Sequence, residues 1–173
     1  RSMPFGGNRV DIFTQGADKI QALLRAIHRA RHHIHMEYYI WEDDALGRLV
    51  SDALIDKARE GVEVRVIYDD VGCWRVKESF FNRMREAGIE VHPFLKVHFP
   101  IFSRRVNYRN HRKIAIIDGS VGFIGGMNIA NRYITGCKLG TKGVWRDTHL
   151  RITGPAIEAL QQSFAFAWQF MNK

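Results

Sequence analysis

The sequence predicts an α/β layered domain, and three observations predict it. Segments that alternate apolar and polar residues take turns along the chain with segments whose apolar residues recur at helical spacing. A chain of 173 residues, 46% hydrophobic and 25% charged, can bury one core and has no disordered or collagen-like bias. No internal repeat, low-complexity run or linker interrupts the alternation, so residues 9–173 read as one domain behind a leader of residues 1–8.

The elements follow in order. NRVDIF is a strand, and Ile20, Leu23, Leu24 and Ile27 then mark a helix. HHIHMEYYIW alternates as a second strand, which places His33, His35, Glu37, Tyr39 and Trp41 on one face and Ile34, Met36, Tyr38 and Ile40 on the other. Leu46, Leu49, Val50, Ala53 and Leu54 carry a second helix, closed by Gly61 in the C-cap role. VEVRVIYDD is a strand, Phe80, Phe81, Met84 and Ala87 carry a third helix up to Gly88, and IEVHPFL is a further strand. Lys96 to Asn107 form an irregular connection, longer than a routine one. After a hairpin, WRDTHLRI makes the last strand and Gly154-Pro155 opens a closing helix. On that helix Leu160, Phe164, Trp168 and Met171 form one apolar row and Phe166 and Phe170 a second, more than the surface helix of a small domain normally buries. The excess points to a further packing partner.

Charge narrows the partners without choosing one. Lys and Arg number 26 against 18 Asp and Glu, a formal +8, which favours nucleic acid, acidic lipid or a phosphorylated small molecule. Cys73 and Cys137 are too few for a disulfide framework, so a reducing compartment is the default. No apolar run approaches the ~20 residues of a spanning helix, and no signal-peptide pattern is present. The chain itself is expected to be soluble.

The chemistry concentrates in NHRKIAIIDGSVGFIGGMN, residues 110–128. Asp118-Gly119 between two aliphatic runs is a strong hairpin signal. His111 and Lys113, at i and i+2, are predicted on one face of the strand that precedes it. Asn128 follows Gly125-Gly126, where the backbone can approach a ligand closely. An imidazole, an ammonium and a carboxamide converging there suit attack on phosphorus, with His as nucleophile and Lys and Asn stabilising the oxyanion. Taken singly, each has an ordinary reading: a polar strand residue, an N-cap, a turn aspartate.

The combination is more specific. His111-x-Lys113-x4-Asp118-x6-Gly125-Gly126-x-Asn128 resembles the HKD signature of the phospholipase D superfamily. HHIHMEYYIW, VEVRVIYDDVG, VNYRNHRKIAIIDGSVGFIGGMNIA and WRDTHLRITGPAIEAL resemble the first catalytic half of bacterial cardiolipin synthases. The resemblance runs from about Val10 to the C-terminus and is weaker in the helices. It implies a phospholipase D-like lobe, a mixed β-sheet flanked by helices on both faces, forming the N-terminal half of a two-lobed catalytic domain. The implied reaction transfers a phosphatidyl group between two phosphatidylglycerols through a phosphohistidine, releasing glycerol, without metal or cofactor. By the same resemblance His111 is the nucleophile or its acid/base partner, with nucleophile favoured, and Lys113 and Asn128 bind phosphoryl oxygens. Asp147 would stand against the far ring nitrogen of His111 and stabilise imidazolium. Asp118, Gly125 and Gly126 are structural.

Other residues carry open readings. Glu37 is either a head-group contact or a buried carboxylate needing a partner. Asp69 and Asp70 end a strand, where ligands gather in α/β sheets, but turn or N-cap roles serve as well, and they are poor metal candidates. Phe99, Pro100, Ile101 and Phe102 beside Arg104, Arg105 and Arg109 form either a lipid-facing segment with phosphate-binding arginines or a loop folded onto the core. Implied partners are an anionic phospholipid, a membrane surface, and a second HKD lobe in the same chain or a homodimer mate; the implied location is the cytoplasmic membrane. The chain lacks the family's second HKD motif and N-terminal membrane segments. Two rivals stand beside this reading: a single-HKD nuclease that works as a homodimer, and a non-catalytic lipid- or partner-binding lobe. No extended basic and aromatic track supports nucleic acid.

Overall fold

A computed structural model describes residues 6–96, 110–135 and 143–171. Seven strands form one sheet in the order β1-β7-β6-β5-β2-β3-β4. They are β1 Arg9–Phe13, β2 His33–Tyr38, β3 Glu63–Asp69, β4 Glu90–Phe94, β5 Lys113–Ile117, β6 Val121–Gly125 and β7 His149–Thr153. Among the described residues four α-helices accompany them: α1 Gly16–Arg29, α2 Ala45–Arg59, α3 Glu78–Glu86 and α4 Ala156–Met171. Pairing is parallel for β2-β3 and β3-β4 and antiparallel for the other pairs, so the sheet is mixed as predicted. The parallel pairs are the ones whose connections carry α2 and α3, as crossovers require.

Strand alternation sorts the core into two layers. Ile34, Met36 and Tyr38 of β2, Val64 and Val66 of β3, and Ala115 and Ile117 of β5 pack with α1, α2 and α3. Ile67, Ile114 and Ile116 point to the opposite face, where Ile157, Phe164, Ala167 and Trp168 of α4 cover them. His35 joins that second layer by stacking on Phe164 at 4.6 Å, and Gln161 of α4 bonds both His33 and His35. Phe166 and Phe170 remain outside, 75% and 53% exposed.

Three local expectations change. Trp41 leaves the histidine face of β2, because the strand ends at Tyr38; it turns into the first core and meets Tyr38 edge-on at 6.1 Å. Leu49 keeps helical spacing but stands exposed on α2. The last strand starts at His149, four residues after Trp145, and residues 143–148 run exposed ahead of it. Cys73 is a buried free thiol pushed up to about 12 by burial, with the Trp41 N–H donating to its sulfur; Cys137 lies outside the described residues. No described helix is long and apolar enough to cross a membrane.

Candidate active site

Topology gathers the candidates at one end of the sheet. Tyr38 pairs with Lys113 and Gly125 with His149, so the ends of β2 and β6 lie with the starts of β5 and β7. The chain therefore brings His111, Lys113, Asn128 and Asp147 to the end where the parallel strands β2 and β3 terminate, the usual place for a site in such sheets.

His111 precedes the strand rather than sitting in it, since β5 begins at Lys113. A side-chain bridge explains this: Asn110 Oδ1 accepts the Arg112 N–H at 3.2 Å, arching over His111. Lys113 Nζ donates to the His111 carbonyl at 2.6 Å. The imidazole is exposed, packs on Tyr39 at 4.1 Å between ring centroids, and hydrogen-bonds to no described residue. Lys113 Nζ lies over the same Tyr39 ring, 5.5 Å from its centroid. Tyr39 is thus a shared platform, a role that its place in the alternation of the second strand does not announce. Burial holds the Lys113 ammonium below its ordinary pKa, opposed by the negative charge of Asp147.

Asp147 accepts its neighbour Thr148 N–H at 2.7 Å and makes no hydrogen bond with the His111 ring in this structure. Its carboxylate lies against Gly126, where an added Cβ would come within 2.0 Å of Oδ1. Gly125 makes the same room for His149, whose Nδ1 would meet a Cβ at 2.8 Å. The two glycines therefore let the β7 approach close on the hairpin.

Asn128 is 4% exposed, with Oδ1 accepting the Ile40 N–H at 3.0 Å and Nδ2 donating to the Tyr133 hydroxyl at 3.0 Å. Glu37, open between a head-group contact and a buried carboxylate with a partner, is 1% exposed and accepts from Asn110 Nδ2, with Arg112 3.8 Å away. Burial raises its pKa; the Asn110 bond and the Arg112 charge oppose the rise. Asp69 is buried too and accepts from Val71 N, Gly72 N and, at 3.3 Å, Asn110 N. Arg104, Arg105 and Arg109, with Phe99 to Phe102, lie outside the described residues. Asp118 sits at the other end of the hairpin, where its carboxylate accepts from Arg31, His32 and His33 N–H at 2.8–3.2 Å. Burial pushes its carboxyl up, but those donors outweigh it and hold it below the ordinary value.

Behind the site lies a buried polar group that the sequence had not flagged. Lys19 donates to the Tyr38 hydroxyl at 3.1 Å inside the first core, and burial brings it down to about 7. His149 is fully buried with neither ring nitrogen bonded; burial, with the charges of Lys19 and Lys113, depresses it to about 2. A cleft of about 470 Å³ opens over Phe94, Asn110, His111 and Arg112. Among the described residues no three His, Cys, Asp or Glu side chains cluster in a metal-binding arrangement.

Residues 23–142 match the family described as "Cardiolipin synthase, PLD-like domain". The chain belongs to that family. Cardiolipin synthase 2 of Bacillus anthracis is 49% identical over 159 residues, covering 92% of this chain and 30% of that protein. The chain thus spans under a third of that cardiolipin synthase. NucT from Helicobacter pylori shares the fold with a TM-score of 0.71 at 19% identity, covering 95% of this chain and 96% of that one. Nuc from Salmonella typhimurium, a phospholipase D family member, gives 0.67 at 19% identity, covering 94% and 95%. The open mixed sheet with helices on both faces is a phospholipase D fold.

Proposed function

We propose that the chain is a catalytic lobe of a cardiolipin synthase and transfers a phosphatidyl group between two phosphatidylglycerols. The observation that carries this reading is the Tyr39 platform, on which an exposed imidazole and a partly desolvated ammonium lie together above a fixed backbone. An unbonded imidazole can attack phosphorus, and an ammonium beside it stabilises the charge that develops on the phosphoryl oxygens.

In the first step a His111 ring nitrogen bonds to phosphorus and the bond to the departing glycerol oxygen breaks; that oxygen takes a proton from a general acid. In the second step the hydroxyl of another phosphatidylglycerol gives its proton to that same group, now acting as base, bonds to phosphorus, and the bond from phosphorus to His111 breaks. Lys113 holds the phosphoryl oxygens, and Asn128 offers an amide hydrogen beyond its Tyr133 bond. Asp147 keeps negative charge beside Lys113 and counters imidazolium when it forms. The general acid is the histidine of a second HKD lobe, in the same chain or a homodimer mate, and the substrate arrives from an anionic membrane surface. Arg104, Arg105 and Arg109 are assigned to its phosphates.

His111→Ala in the assembled enzyme tests this: phosphatidylglycerol consumption should fall at least ~10³-fold, with thermal unfolding within a few degrees of the parent. Activity within about tenfold of the parent would sink the assignment. The nuclease reading keeps the same histidine and is separated by substrate, since hydrolysis of a nucleic acid by a homodimer of this chain would favour it.

A further inference from the structure

The residue before His111 is held by two buried carboxylates on two different strands. Asn110 Nδ2 donates to Glu37 of β2, and the Asn110 backbone N–H donates to Asp69 at the end of β3. The Asn110 carboxamide spends its oxygen on the Arg112 N–H at 3.2 Å, so one buried side chain brackets His111 from both sides. Lys113 closes the bracket by donating to the His111 carbonyl. The backbone of His111 is fixed while its ring stays open to solvent.

Glu37 is an expensive way to hold a turn. Its Oε2 is buried and unbonded, and its partners across the neighbouring strands are Ile114 and Ile67, so an apolar residue would suit the position better. The Arg112 guanidinium, 3.8 Å away and half exposed, offsets little of that cost, so burying a carboxylate beside two isoleucines is intelligible if the acceptor it presents to Asn110 is what the position is for.

We propose that Glu37 is a positioning residue: through Asn110 it sets the turn that seats the His111 imidazole on Tyr39. It touches no substrate. The inference rests on the reading of His111 as nucleophile only for its effect on turnover; the seating of the ring is independent of that reading.

The test uses the ring-current shift that Tyr39 imposes on the His111 ring protons, read by NMR on the full chain and identified by its disappearance in Tyr39→Leu. Glu37→Leu and Asn110→Ala should each lose at least half of that shift. In the assembled enzyme they should lower kcat roughly 10- to 100-fold with KM changed less than about threefold, as expected when a reacting group is misplaced. Glu37→Gln still offers Oε1 to Asn110 and should retain both shift and turnover. If Asn110→Ala and Glu37→Leu keep the full shift, the proposal is overturned. It is equally overturned if Glu37→Gln is as damaging as Glu37→Leu, because charge rather than the acceptor would then matter. A lost shift with undiminished turnover upholds the positioning and overturns the catalytic assignment of His111 instead. Asn110→Ala serves where Glu37→Leu does not fold.

Discussion

The hairpin of β5 and β6 has a carboxylate at each end, its own Asp118 at the turn and Asp147 of the segment before β7 against Gly126, and the two ends are built on opposite terms. At the turn, Asp118 and Gly119 adopt φ of 52° and 60°, and the Asp118 carboxylate collects three backbone N–H groups that open β2. At the other end, among the described residues, the His111 ring has no hydrogen-bond partner and the partly desolvated Lys113 has no carboxylate in contact, while Asp147 is exposed. The contrast extends outward. Among the described residues, the buried side-chain atoms without a partner are Glu37 Oε2, Arg132 Nε and both nitrogens of His149; strand register places Glu37 and His149 at the His111 end, and none of the four is at the Asp118 turn. One end of a single hairpin is satisfied and holds the fold; the other keeps unspent polar groups, as sites of chemistry do. The letter D of the HKD signature belongs to the first end, and the letters H and K to the second.

Of the changes that set the two ends against each other, the largest effect should come from disturbing charge at the open end. Asp147 opposes the desolvation of Lys113, so Asp147→Asn lets the Lys113 pKa fall further. If Lys113 acts protonated, the alkaline limb of the kcat/KM profile must then move to lower pH. Turnover at neutral pH should drop roughly 10- to 100-fold, because an oxyanion donor and the counter-charge to imidazolium are both weakened. A profile with an unmoved alkaline limb would remove Asp147 from the electrostatics of the site.

The satisfied end should respond in stability instead. Asp118→Ala leaves three backbone donors without their acceptor and should cost ~2 kcal/mol of folding stability. Because the folded carboxyl titrates below its ordinary value, its contribution is complete above the usual carboxylate range and is lost as pH falls through the folded pKa. The gap between parent and variant, measured by denaturant unfolding, should therefore close below about pH 4. Turnover per folded molecule should stay within about threefold. If Asp118→Ala leaves stability intact but destroys turnover, the division between the two ends is wrong.

How much of this was legible in the sequence divides along the same line. The turn at Asp118-Gly119 declares itself locally, because few dipeptides accept two successive positive φ values. His111, Lys113 and the glycines were legible as a spaced pattern, as was the layered sheet. Partners drawn from far along the chain were not. The Asn128 amide is engaged by Ile40, 88 residues away, and Asn110 by Glu37, 73 residues away. Trp41 was misplaced because period-2 alternation continues in the text after the strand has ended. Lys19 and His149 gave no signal at all: one is a lysine among helical apolar residues, the other a histidine in a strand. A buried carboxylate at Glu37 was legible as a need for a partner, though not as Asn110.

The smallest effect should sharpen the comparison most, since it concerns the group beneath the open end. Lys19 lies in the first turn of α1, wholly buried against Tyr38, and its pKa is lowered to about 7 by desolvation. Its position at a helix N-terminus adds an unfavourable dipole. Between about pH 7 and its ordinary value of 10.5 the unfolded chain holds the Lys19 proton and the folded chain does not. The unfolded state binds more protons there, so folding stability must rise with pH across that window; below about 7 both states are protonated and the desolvation cost is complete. Lys19→Met fills the same volume with no charge to desolvate, but leaves the Tyr38 hydroxyl without its donor. The two changes partly offset, and the variant should gain only ~1 kcal/mol at pH 6 while losing the rise above pH 7. His149 stays neutral in either background, because burial is the largest cause of its depression. Denaturant unfolding at pH 6, 8 and 9.5 for parent and variant reads the slope directly. A slope that survives in Lys19→Met would place the alkaline stabilisation elsewhere and leave the buried lysine as an ordinary part of the first core.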